Sequence, residues 1–113
     1  ITSKSTLDIY NYQSKLLGGL YDNFDLVLSH DDVKEKKPNP EVYLTAVERI
    51  GVPKDKCLVV EDSLEGVKAA TSAGIEVVNV VDENMFETQS QIDEISTYKM
   101  NNLKEFYDLV TVL

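Results

Sequence analysis

The stretch Cys57-Leu58-Val59-Val60-Glu61-Asp62-Ser63-Leu64-Glu65-Gly66-Val67-Lys68-Ala69-Ala70 decides the fold. Cys57 to Val60 is a short apolar run, bounded by the charged Pro53 to Lys56 stretch and by Glu61-Asp62. Its length suits a buried strand. Ser63 then offers a hydroxyl that caps a helix, expected to reach about Ala73 and to stop at Gly74. The small residues Gly66, Ala69, Ala70 and Ala73 let that helix lie close to a sheet. A strand that feeds directly into a helix is the building unit of a parallel α/β sheet.

The same alternation continues on both sides. Downstream, Ile75 to Val81 reads as a strand broken by Asp82. Residues 82–95 read as a polar surface excursion with a turn of helix near Ser90 to Ile95. Leu103, Phe106, Tyr107 and Val110 fit the spacing of a final helix. Upstream, Pro38-Asn39-Pro40 opens a helix whose apolar face is Tyr43, Ala46, Val47 and Ile50. Gly51 ends it, and Pro53 prevents resumption. His30 to Pro40 is a charged loop, and Asp25 to Ser29 is a short apolar strand. Ser5 to Leu17 reads as a helix closed by Gly18-Gly19, with Leu7, Ile9, Tyr10, Leu16 and Leu17 apolar. Ile1 to Ser3 reads as the end of a strand. The expected fold is therefore α/β, a parallel sheet with helices on both faces.

Composition narrows the function. Eleven Lys and Arg against twenty Asp and Glu give a net charge of −9. That argues against nucleic acid or an anionic membrane as partner, since both reward basic patches. No apolar run approaches the roughly 20 residues needed to span a bilayer. A single cysteine excludes an internal disulfide. Without a targeting signal, a cytoplasmic location is expected. A doubly wound domain needs about 30 residues per βαβ unit. The 113 residues hold only a few such units, and the chain opens on Ile1 without an initiator Met. It is expected to be part of something longer.

Parallel sheets bind ligands outside the carboxyl ends of their strands. Those ends carry Thr2-Ser3, Ser29-His30, Glu61-Asp62 and Asp82. Adjacent carboxylates such as Glu61-Asp62 suit Mg²⁺, which takes one or two carboxylates and leaves room for water and phosphate. Equally, the two acids serve as negative charge at a helix N-terminus. Thr2 and Ser3 offer hydroxyls and backbone N–H groups to an anion, or simply cap a helix. Lys37 is a mobile charge suited to phosphate, set just before a stiff Pro-Asn-Pro, although taken singly it reads, like Lys34 and Lys36 in the same loop, as solvated surface. His30 has no visible catalytic partner, and Cys57 reads as a small hydrophobe in a strand.

Taken together, Ile1-Thr2-Ser3, Lys37-Pro38-Asn39-Pro40-Glu41-Val42-Tyr43 and Val59-Val60-Glu61-Asp62-Ser63-Leu64-Glu65-Gly66-Val67-Lys68-Ala69-Ala70 resemble motifs II, III and IV of the haloacid dehalogenase superfamily. The branch they are most similar to holds phosphatases and β-phosphoglucomutase-like enzymes. The resemblance spans roughly Ile1 to Val81, and the tail to Leu113 is compatible with the family's last strand and helix. It implies a Rossmann-like core and phosphoryl transfer from a small phosphorylated metabolite through an aspartyl-phosphate. On this resemblance Thr2, with the Ser3 amide, binds a phosphoryl oxygen. Lys37 neutralises the phosphoryl group and the nucleophile. Asp62 binds Mg²⁺, and Glu61 supports it directly or through water.

The family's nucleophile and its general acid/base stand in motif I, an Asp-x-Asp on a central first strand. Residues 1–113 resemble only the C-terminal part of the core, from motif II onward, with no counterpart to motif I, the first strand or the cap domain. Asp8 lacks a second acid two residues on. The chain alone is expected to turn over no phosphate ester. Its sheet is expected to be completed by an N-terminal segment or another chain, since open strand edges invite pairing. The alternatives are a non-catalytic phosphate-binding or interaction domain that has lost motif I, and a phosphate-accepting signalling receiver. Dehalogenation fits less well, because Glu61-Asp62 suits metal and phosphate.

Overall fold

In the computed structural model, residues 25–82 and 87–111 are described. The expected elements at Ile1 to Ser3 and Ser5 to Leu17, the Gly18-Gly19 stop, and Thr2 and Ser3 themselves lie outside them.

The strand-into-helix unit forms as the sequence indicates. β1 spans Leu58–Glu61, one residue later than the apolar run, and α2 spans Leu64–Ser72. Ser63 caps α2: the Gly66 N–H donates to its Oγ at 3.1 Å. Gly74 comes next with φ 77°, a left-handed conformation that glycine adopts without a Cβ clash. Before them, α1 spans Glu41–Ile50 and ends at Gly51, also at φ 77°. Asn39 accepts the Glu41 N–H at 2.9 Å, so the asparagine does serve the start of α1.

β2 spans Glu76–Val80 and pairs parallel with β1, with Leu58 opposite Glu76 and Glu61 opposite Asn79. α3 spans Gln89–Ile95, β3 Tyr98–Met100 and α4 Leu103–Thr111. β3 pairs parallel with β2, giving the order β1-β2-β3. β3 is too short and polar for its residues alone to mark it. Register makes it a strand: Val78 faces Tyr98, Val80 faces Met100, and the Thr97 N–H donates to the Val77 carbonyl at 2.9 Å.

The core gathers Val42 and Tyr43 from α1, Val59 from β1, Leu64, Val67, Ala69 and Ala70 from α2, and Ile75, Val77 and Ile92 beyond them. Val67, Ala69 and Ala70 are fully buried, which is how a small-residue helix approaches a sheet.

Three expectations are corrected. Asp25 to Ser29 is not a strand: only Ser29 makes a β-bridge, although Leu28 and Ser29 are buried. The reason is local. The Ser29 N–H donates to the Asp32 carboxylate at 2.7 Å and Ser29 Oγ accepts the Asp31 N–H at 3.2 Å, which caps a 3₁₀ turn at His30–Asp32 instead of extending a ladder. The loop from His30 to Pro40 thus begins with a turn of helix. Second, β1 is buried on one face only. Val59 packs inward, while Leu58 and Val60 are 45% and 37% exposed, because α1, α2 and α3 join a single core cluster with Val59. Third, Ile50 does not complete the α1 face; it is exposed, and Val42 takes its place in the core.

Candidate active site

Lys37 lies in the loop before α1, ahead of Pro38-Asn39-Pro40, and Glu61 ends β1. The fold brings their side chains together: Lys37 Nζ donates to Glu61 Oε1 in an ion pair withdrawn from water, with side chains 13% and 10% exposed. Tyr43, in the first turn of α1, donates its hydroxyl to the same Oε1 at 2.5 Å. Lys37 Nζ also lies 5.3 Å from the centroid of the Tyr43 ring. The other carboxylate oxygen, Oε2, accepts Ser63 Oγ–H at 3.2 Å. Glu61 is therefore held by three side chains from three parts of the chain.

Gly66 makes this possible. A Cβ there would overlap the Glu61 carboxylate, at Oε2 and Cδ. The carboxylate occupies the space that a side chain at position 66 would fill, at the positive end of the helix.

The electrostatics have separable causes. Burial pushes the Glu61 carboxyl up, but the Lys37 ammonium and the hydrogen bonds from Tyr43 and Ser63 hold it below the usual carboxylate range. Burial, then the charge of Glu61 beside it, push the Tyr43 phenol far above its ordinary value, so it remains a donor. Asp62 behaves in the opposite way to Glu61. Partial withdrawal from water, the charge of Glu61 and the nearby Asp82 push its carboxyl up. Glu61 has its counter-charge, whereas Asp62 stands in a field of carboxylates.

Of the residues expected at the site, Lys37, Glu61 and Asp62 are brought to the carboxyl end of β1. His30 lies in the 3₁₀ turn. Cys57 precedes β1 and donates its Sγ–H to the Pro53 carbonyl at 3.4 Å, a structural contact. Tyr43, Gly66, Ser63 and Asp82 complete the arrangement. Asp82 was visible as a strand-end acid. Tyr43 was hidden by its helical spacing, which reads as plain core, and Gly66 by the small-residue pattern of α2.

Ser63 carries two bonds, as acceptor for α2 and donor to Glu61. Ser63→Ala in the full-length protein is expected to cost about 2 kcal/mol, read by urea titration. A variant as stable as wild type would remove Ser63 from both roles.

The fold and site define a Rossmann-like α/β protein whose charged side chains collect at the carboxyl end of a parallel sheet. The chain belongs to the haloacid dehalogenase-like hydrolases, whose family model matches residues 1–80. A haloacid dehalogenase-like hydrolase domain-containing protein of Arabidopsis thaliana is 40% identical over 89 residues, 74% of this chain and 28% of that protein. A phosphorylated carbohydrates phosphatase of Thermotoga maritima is 53% identical over 53 residues, 47% of this chain and 24% of its own length. Among solved structures, a β-phosphoglucomutase-like protein of Thermotoga maritima superposes with a TM-score of 0.75 at 29% identity, covering 99% of this chain and 50% of that one. The chain thus spans 28% and 24% of those two curated relatives and half of the solved neighbour. Among the described residues no helix is long and apolar enough to cross a membrane.

Proposed function

We propose that residues 1–113 form the phosphate- and metal-binding part of a phosphoryl-transfer enzyme acting on a small phosphorylated metabolite. The observation that carries the reading is the Lys37–Glu61 pair, held beside Asp62 where a parallel sheet binds its ligand. The phosphatase among the relatives, named for phosphorylated carbohydrates, supports the substrate class.

In this reading the Lys37 side chain stands at the sheet end, paired with Glu61, and offers its remaining donors to a phosphoryl oxygen. Thr2 and the Ser3 amide are assigned to the same group. Asp62 fits a hard divalent cation: partial burial, then the charge of Glu61 and the nearness of Asp82, disfavour its ionised form until a positive charge arrives. Glu61, whose oxygens accept hydrogen bonds from Lys37, Tyr43 and Ser63, supports the cation directly or through water. When bound, Mg²⁺ would draw charge from the phosphoryl oxygens. The attacking carboxylate and the acid that protonates the leaving oxygen are assigned to a motif I that residues 1–113 do not carry.

The test is phosphate release from a panel of small phosphate esters by the full-length protein, with Mg²⁺ present or chelated. Release is expected to need Mg²⁺ and to fall about a hundredfold or more in Asp62→Asn, with the folded state retained. Equal rates for Asp62→Asn and wild type would remove Asp62 from the metal site.

A further inference from the structure

Tyr43 belongs to the core by position, yet its hydroxyl belongs to the site. Resting on the phosphoryl-transfer reading, we infer that Tyr43 is a positioning residue: it fixes the Glu61 carboxylate and, through it, aims the Lys37 ammonium at the phosphoryl group.

Three features carry this. First, the phenol and the ammonium converge on a single oxygen, Glu61 Oε1, while Ser63 holds Oε2. A carboxylate pinned at both oxygens cannot rotate to track a wandering lysine, so the lysine must come to it. Second, the Tyr43 ring flanks Lys37 Nζ at 5.3 Å, which restrains the cation on a second side. Third, the ring is anchored in the hydrophobic cluster with Val42 and Val59, on the first turn of α1, whereas Lys37 extends from a loop. A flexible four-carbon stem is thereby referenced to a rigid helix. Positioned charge contributes to catalysis where mobile charge does not.

Packing does not require the hydroxyl. Phenylalanine would fill the same core volume with no polar group to satisfy. A buried phenol needs a partner, and here the partner is the carboxylate that pairs with Lys37.

The experiment uses the full-length protein and the phosphate ester it releases fastest. Kinetics are compared for wild type, Tyr43→Phe, Tyr43→Leu, Glu61→Gln and the Tyr43→Phe/Glu61→Gln double variant, each checked for its fold by circular dichroism. Tyr43→Phe keeps the ring and the core contacts and removes only the O–H. It is expected to lower kcat about tenfold with KM within about twofold, since one hydrogen bond to a charged group is lost. Tyr43→Leu loses the ring as well and falls further. In the Glu61→Gln background, Tyr43→Phe is expected to change kcat less than about twofold, because its effect passes through Glu61. A Tyr43→Phe variant with wild-type kcat overturns the inference, as do losses that multiply in the double variant. An active wild type with either result leaves the phosphoryl-transfer reading standing. A wild type that releases no phosphate from any ester overturns that reading and this inference with it.

Discussion

Lys37→Met is expected to cost the full-length protein about 3 kcal/mol of stability and about a hundredfold or more in phosphate release. Methionine keeps most of the apolar stem and removes only the charge. What remains is a carboxylate 10% exposed, with the Tyr43 and Ser63 hydroxyls but no cation. An unpaired buried charge is worse than an absent pair, because its desolvation is no longer offset. Adding Glu61→Gln should therefore return much of the lost stability while leaving phosphate release low. If both variants lose stability equally, the ion pair is not what holds this end of β1.

The pH dependence separates the two states further. In the wild type the Glu61 carboxyl is held below its ordinary value of 4.5, burial opposing and Lys37 with Tyr43 prevailing. A depressed value in the folded state stabilises above the unfolded value and is lost as pH falls through the folded one. This part of the wild-type stability should fade below about pH 4.5, measured in chelating buffer. In Lys37→Met, burial prevails and the sign reverses, so lowering the pH should recover stability by protonating Glu61.

Gly66→Ala is expected to destabilise by about 2 kcal/mol, against a helix-propensity gain of about 1 kcal/mol. The added Cβ would fall on Glu61 Oε2, far inside contact distance. A glutamate end is flexible in general, but this one is tied to Lys37, Tyr43 and Ser63. Moving it breaks those bonds, and phosphate release should fall with stability. The sign test is the Glu61→Ala background. There the carboxylate is gone, and Gly66→Ala should be neutral or stabilising, as expected for alanine in a helix. A destabilising effect of the same size in both backgrounds would show that Gly66 serves something other than Glu61.

Much of the framework is visible in local pattern. Apolar runs, a serine cap and glycine stops are short-range signals, and they mark β1, α2, β2 and α1 closely. The errors fall where a local signal competes with pairing. The apolar Asp25 to Ser29 run lost to a capped turn built from Ser29 and Asp32. β3 lacked an apolar run and exists because β2 offers it a parallel edge. The periodicity of α4 identified a helix, but not its cover: Leu103 and Tyr107 are each 66% exposed among the described residues.

The sequence by itself determined the alternation of strand and helix, and with it that Glu61 and Asp62 fall at the carboxyl end of a strand. Those features depend on residue spacing of a few positions, which a linear pattern records. Only the tertiary structure decided which charges meet. Lys37 and Glu61 are 24 residues apart, and Tyr43 and Glu61 18 apart, so no spacing rule joins them. Packing α1 against α2, in one core cluster with β1, brings all three to one point. That packing also separates the two adjacent acids: Glu61 turns inward to a cation, and Asp62 is left among carboxylates. The physical reason is that Glu61 closes β1 on the face of Val59, whereas Asp62 already lies beyond the strand.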